Sequence, residues 1–377
     1  MPQSVKLRCL LFRALKMPHA SANRPGSVFR SNAASRSFSQ VMALSRFLVL
    51  MGNATITGKV IEASNRPFNP EKAARYNAKS FTGTKTMGVL LSVLSDLHKS
   101  GIKVSDIAAQ YWCERQMELR ARHGAKITNE IRKGAQIHGE LEDQVNVPMF
   151  LQPKSYPDYM YKQLYTSHAA LVSLRENGKG REIQMYGSIG GYRLVGRIDM
   201  LQMSGGKVVI WEDKTKANGK PPSEAQLHTN RIQLLVYRRM LDDLVSGDYT
   251  ERNFTRAYST EKMVLTAEFV RQLKALGVPD PEMDIGRIAG RLFTEFRGLG
   301  SVSDSMRLRY LQQSTGNEIQ IYSFDYNKEE TQGIVKYVLG YWNGERESNP
   351  VPESEKWKCE WCEFFGDKCK VWWGQRG

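Results

Sequence analysis

Two apolar runs, GRIDMLQM (196–203) and KVVIWEDK (207–214), flank Ser204-Gly205-Gly206 and carry Asp199, Glu212, Asp213 and Lys214. Paired glycines between such runs predict a β-hairpin with a two-residue turn. With Gly205 and Gly206 at its centre, Asp199 faces Glu212, Arg197 faces Lys214 and Leu201 faces Ile210. Side chains alternate along a strand, so these residues share one face. Two carboxylates set opposite each other repel unless a cation lies between them. Hard divalent ions such as Mg2+ take carboxylate oxygens and keep several waters. Lys214, two residues after Glu212, is placed to orient such a water or to offset phosphate charge. The chemistry this suggests is metal-assisted hydrolysis of a phosphodiester. A lone E-x-K is otherwise an ordinary salt bridge on a solvated strand.

Two further pairs stand at helical spacing. His138 and Glu142, in GAQIHGELE (134–142), are i, i+4 neighbours. An imidazole there can complete a metal's coordination, or be a hydrogen-bonded core histidine. Gln233 and Tyr237, in QLLVY (233–237), are also i, i+4, within a run containing Ile232, Leu234, Leu235, Val236, Met240 and Leu241. That run predicts a helix packed on a sheet, and its buried Gln and Tyr need partners.

Asp199 followed by Glu212-Asp213-Lys214 resembles the PD-(D/E)xK nuclease superfamily. The order of four motifs is similar to its RecB-like branch: G-x-x-x-H-x-x-x-E at 134–142, the Asp, the E-x-K, and Q-x-x-x-Y at 233–237. The resemblance covers most of residues 105–375. It implies a restriction-endonuclease-like α/β core with Asp199, Glu212 and Lys214 as catalytic residues. It further implies that His138, Asp199 and Glu212 hold Mg2+, and that Gln233 and Tyr237 position the lysine and the substrate phosphate.

Five cysteines are present. Cys9 lies in an N-terminal segment expected to be removed. Cys359, Cys362 and Cys369 form C-x2-C-x6-C, a metal-binding spacing that lacks one ligand, and Cys113 in YWCERQM is the remaining cysteine. Zinc, an iron–sulfur cluster and disulfides are the three options. One ligand before the core and three after it resembles the [4Fe–4S] staple of several RecB-like nucleases. A staple of this kind joins distant segments and makes ligand binding part of folding. The lone Cys, the terminal trio and the absence of a G-x4-G-K-[ST] loop are together similar to the exonuclease V family. That likeness implies a monomeric exonuclease for single-stranded DNA.

Formal charge is +15, from 54 basic and 39 acidic residues. The first 61 residues hold nine Lys or Arg and no acid, so the remainder carries 45 − 39 = +6, a modest surplus. The start is rich in Arg, Ser and Ala, and Val5, Leu7, Leu10, Leu11 and Leu15 alternate with basic residues. This is the pattern of a mitochondrial transit peptide, expected over 1–60, with a nuclease domain over 61–377. A basic tail that binds nucleic acid is the alternative. The run FLVLM (47–51) is too short to span a bilayer, and no membrane association is expected.

The positioning elements read as follows. VLLSVLSDLHKSG (89–101) predicts a helix, as does DIAAQYWCERQMELR (106–120) with Cys113 near its middle. A long helix follows around His138. The runs at 181–200 and 207–216 supply central strands, and 218–224 a loop. MVLTAEFVRQLKALG (263–277) predicts a helix, EIQIYSFDY (318–326) a strand and KEETQGIVKYVLGYW (328–342) a helix. NPVPESE (349–355) reads as an exposed linker. The fold class is α/β, a mixed central sheet flanked by helices, and the resemblance implies that a C-terminal iron–sulfur staple closes it. Lys216, Lys220, Arg231, Arg238 and Arg239, with Trp112, Tyr76 and Phe81, are candidates for a single-strand groove. Competing readings are a non-catalytic iron–sulfur or zinc DNA-binding protein and a duplex-specific nuclease acting as a dimer.

Overall fold

The computed structural model describes residues 60–62, 101–146 and 150–370. The leader at 1–59, the helix expected over 89–100, Tyr76 and Phe81 lie outside the described residues. In chain order the elements are β1 (Val60–Glu62), β2 (Ile102–Lys103), α1 (Val104–His123), α2 (Asn129–Glu142), α3 (Tyr156–Asn177), β3 (Lys179–Ile189), β4 (Tyr192–Ser204) and β5 (Lys207–Lys216). Next come α4 (Glu224–Ser246), α5 (Glu251–Tyr258), α6 (Ala267–Ala275), α7 (Ile285–Arg297), β6 (Ser305–Gln312), β7 (Glu318–Asp325), α8 (Lys328–Trp342) and a 3-10 turn (Glu353–Trp361).

Seven strands form one sheet in the order β1-β7-β6-β5-β4-β2, with β3 also on β4. The β1/β7, β2/β4 and β5/β6 pairs are parallel and the others antiparallel, so the sheet is mixed. Helices flank it, and the fold is α/β as the sequence pattern implies. Among the described residues no helix is long and apolar enough to cross a membrane.

The hairpin follows its sequence. Gly205 and Gly206 have φ of 55° and 75°, left-handed values that glycine takes without steric cost. Ser204 pairs with Lys207 and Leu201 with Ile210, the expected register. The ladder then stops at Met200/Trp211, so Asp199 and Glu212 are not a ladder pair. β3 runs along one edge of β4, from Tyr192 to Gln202. On the other edge β5 holds Met200–Ser204, and β2 holds Leu194 and Val195. Between them, residues 196–199 stand at a fork in the sheet.

Three readings need correction. The helix at 263–277 starts only at Ala267, because Thr266 caps it by accepting from the Phe269 amide. Helix α1 is broken at Cys113, whose φ and ψ are −167° and 108°. Residues 349–351 are not an exposed linker: the Asn349 amide donates to Glu114 at 2.7 Å, the Arg115 amide donates to the Asn349 carbonyl at 3.0 Å, and Val351 is buried.

Candidate active site

Strand alternation sorts the charges of β5 onto two faces. Asp213 faces one side, where it is fully buried and bonded to Arg181 at 2.6 Å and to Arg309 at 2.8 and 2.9 Å. Burial alone would raise its pKa; the two guanidiniums overcome that and hold the carboxyl below its usual range. Asp213 is therefore a structural ion pair. Glu212 and Lys214 face the other side, toward α4.

Helix α4 sits between the sheet and its neighbouring helices. Ile232, Leu234, Leu235, Val236, Met240 and Leu241 are all buried, which explains its apolar circumference. Its N-terminus is fixed by Ser223 and Gln226 in a capping box. Gln233 donates to Glu212 Oε1 at 2.7 Å and accepts from Lys214 Nζ at 2.9 Å. Lys214 also donates to Glu212 Oε1 at 2.7 Å. Tyr237 donates its hydroxyl proton to the Arg197 carbonyl at 2.7 Å and accepts from Gln233 Nε2 at 3.3 Å. That approach requires Gly196: a Cβ there would lie 2.5 Å from the Tyr237 ring and 2.7 Å from Val104. Gln233 and Tyr237 thus brace the E-x-K strand.

The Asp199 carboxylate bridges the fork. Its Oδ2 accepts from the Asp213 amide at 2.7 Å, replacing a ladder bond. Its Oδ1 lies 3.5 Å from His138 Nδ1, and Glu182 Oε1 lies 3.6 Å from the same nitrogen. His138 reaches this point because α2 lies close against β5. Gly134 makes that possible, since a Cβ there would stand 2.9 Å from Thr215 Oγ1. Gln313 secures the contact by donating to the Glu130 carbonyl and to Thr215 Oγ1, both at 2.9 Å.

His138, Glu182 and Asp199 offer donor atoms that all lie within 4.8 Å of one another. The set differs from the expected His138, Asp199 and Glu212 in one member. Glu212 Oε1 is engaged by Lys214 and Gln233, while its Oε2 is buried with no hydrogen-bond partner among the described residues. Glu182 Oε1 is likewise buried without one. Nothing in the sequence motif marked Glu182. Its signal is register: Arg181 pairs with Met200 and Ile183 with Ile198, which sets Glu182 opposite Asp199. Its φ of 52° is rare for a non-glycine residue, the kind of local strain that collects at functional sites. Glu142 is not in the cluster; it accepts from Asn146 Nδ2 at 3.4 Å.

Electrostatics match a site built for a cation. Burial and the Asp199 carboxylate push Glu212 up to about 8, against the pull of Lys214. Burial works against charge on His138, but Asp199 and Glu182 together push it up to about 10. Three acids, one of them Glu212 with its Oε2 unpartnered among the described residues, and an imidazole are a hard, oxygen-rich donor set that fits Mg2+.

Of the groove candidates, Arg231 is buried and paired with Glu330, with one contact at 2.5 Å. Arg238 is buried and bonds the Ser303 carbonyl at 3.1 Å. Trp112 packs edge-on against Trp357. Arg231 and Arg238 are thus spent on internal contacts, while Trp112 and Arg239 are half-buried. Lys220 is exposed and Lys216 half-buried, donating to the Pro221 carbonyl at 3.0 Å.

Cys113, Cys359, Cys362 and Cys369 line one cavity, with Trp112, Gln116, Leu119, Val351, Lys358 and Phe365. Cys113 starts the second half of α1 and caps it: its Sγ accepts from the Gln116 amide at 3.4 Å. Gln116 Nε2 donates to Cys362 Sγ at 3.5 Å. Burial, and then the neighbouring Cys369 and Cys362, push Cys113 up to about 11.

A model of the family described as "Exonuclease V - a 5' deoxyribonuclease" matches residues 91–206, 202–285 and 282–373. The chain belongs to the exonuclease V family. A curated exonuclease V from Danio rerio is 26% identical over 281 residues, covering 72% of this chain and 70% of that protein. A crystal structure of SSO0001 is 14% identical, covering 75% of this chain and 95% of that one, with a TM-score of 0.32. As an exonuclease V, the chain is a nuclease that binds DNA and hydrolyses it, an exodeoxyribonuclease.

Proposed function

We propose that this exonuclease V degrades single-stranded DNA from its ends with Mg2+ held by His138, Glu182, Asp199 and Glu212. The observation that carries the reading is the convergence of three donors at the sheet fork beside the Glu212–Lys214–Gln233 cluster. Bound Mg2+ supplies positive charge at the scissile phosphate and a more acidic water. Lys214 stays cationic: burial opposes its charge, but Glu212 and Asp199 raise its pKa. Its Nζ, held by Glu212 and Gln233, presents a remaining proton to a water or to a phosphate oxygen. Tyr237 fixes Gln233, so the lysine's direction is set before substrate arrives. In the reaction a water oxygen bonds to phosphorus and the bridging P–O bond breaks, leaving a phosphate and a hydroxyl.

The family's description as a 5′ deoxyribonuclease supports attack from 5′ ends. The four cysteines are proposed to hold a [4Fe–4S] cluster, on the strength of their shared cavity and the Gln116 donors to two sulfurs. The basic, acid-free leader supports import into mitochondria and a role in DNA maintenance there. The protein is proposed to act as a monomer, since one chain carries the whole site. Comparing linear single strands, circular single strands and blunt duplex, with Mg2+ and with EDTA, tests the reading. Loss of the linear single strand alone, abolished by EDTA, is expected. Cleavage of circles or equal loss of duplex would overturn it.

A further inference from the structure

A strand entering the fork must be held on the way in, and Arg231 and Arg238 of α4 are bound to Glu330 and the Ser303 carbonyl instead. The rim formed by α3 and β4 is different. Tyr156 and Tyr159 are 54% and 47% exposed, which leaves much of two large rings in water. With Gln163 they stand at i, i+3 and i+7 on α3, one helical face. Gln163 accepts from Arg197 Nη2 at 3.1 Å. Arg197 Nη1 in turn lies 3.6 Å from Glu182 Oε2, so the stripe ends at the donor cluster. Arg197 is itself exposed. Arg193 lies four residues earlier on β4, on the same strand face, and is electrostatically coupled to Tyr156. Its guanidinium rests 5.0 Å from the centre of the Tyr258 ring. Helix and strand run alongside each other, Tyr156 near Arg193 and Gln163 at Arg197, both leading toward Asp199.

We propose that Tyr156 and Tyr159, with Arg193 and Arg197, form the entry track for single-stranded DNA, with bases stacked on the rings and phosphates on the guanidiniums. Exposed aromatics beside a line of cations are what a strand with unpaired bases recognises. Seven residues of helix span about 10 Å, room for about three base steps. Bases paired in a duplex cannot reach the rings, so the track favours single strands by its chemistry. It rests on the single-strand reading above and names the surface that reading requires.

The test uses the full chain carrying Lys214→Ala, with Mg2+ present, and a fluorescent oligothymidylate whose anisotropy reports binding. Tyr156→Ala with Tyr159→Ala should weaken binding at least about tenfold, while the double Phe variant stays within about twofold of the parent. Arg193→Gln should lower the slope of log affinity against log salt by about 0.7. Tyr156 and Tyr159 are exposed, so neither double variant should change the melting temperature. Double-Ala protein that binds the oligonucleotide within about twofold of the parent, or loses blunt duplex equally, would overturn the track. Equal affinity of the parent for duplex and oligonucleotide would overturn the single-strand reading itself, and the track with it.

Discussion

Asp213 sits between the two residues proposed for chemistry, yet its contacts make it a structural group. Asp213→Asn removes the carboxylate that pairs with Arg181, which is 2% exposed, and one side of the Arg309 pair. An uncompensated buried charge costs about 3–5 kcal/mol, so the melting temperature should fall by about 5–10 °C for a domain of this size. The pH dependence fixes the cause. The folded carboxyl titrates below its ordinary value, so the unfolded chain takes up the proton first as pH falls. Its stabilisation is thus complete above about pH 4 and disappears below it, and the gap between wild type and variant should close in acid. Thermal melts by circular dichroism from pH 7 down to about pH 3 read this directly. A drop of less than about 1 °C at neutral pH would refute the ion-pair reasoning.

Three other outcomes are expected. Protein purified without oxygen should be brown and Cys113→Ser should bleach it. Proteolysis of the variant should then begin near Glu353 and Ser354, because Asn349 and Val351 stay docked on α1 through Glu114; colourless protein with stoichiometric zinc would exclude the cluster. Raised values at Glu212 and His138 mean that the folded metal-free site holds protons the unfolded chain has lost, so stability without metal should fall from pH 6.5 to 8.5. A divalent ion competes with those protons, so thermal stabilisation by Mg2+ should grow over the same range; a shift independent of pH would place the ion elsewhere. Residues 1–50 fused to a fluorescent protein should appear in mitochondria, and a diffuse cytosolic signal would count against import.

The hairpin, its register and helix α4 were legible because period-two and helical patterns are local and two glycines fix the turn. Their consequence was only partly legible. Alternation placed Glu212 and Lys214 together, but it could not show that β4 and β5 part beyond Met200/Trp211, which depends on β2 taking the far end of the edge. No spacing in its own strand marks Glu182, because it is cross-strand pairing with β4 that sets it opposite Asp199. Strand β6, SMRLRYLQ, was hidden by Arg307 and Arg309 at alternate positions; Arg309 is there for Asp213. Arg231 and Arg238 looked like a basic groove because sequence cannot show that Glu330 and the Ser303 carbonyl already hold them. The helical pattern places Cys113 mid-helix, whereas the helix breaks there and the residue lines one cavity with Cys359, Cys362 and Cys369.

The most direct measurement is hydrolysis of linear single-stranded DNA by Lys214→Ala, with affinity for the same DNA measured on the same samples. The Lys214 ammonium hydrogen-bonds Glu212 and Gln233 at the site, so truncating it should leave folding and binding close to wild type. Losing a preorganised cation at the scissile phosphate should lower the rate by about a hundredfold to a thousandfold or more, with affinity within about threefold. Wild-type turnover by Lys214→Ala would contradict the assignment of this fork as the catalytic site.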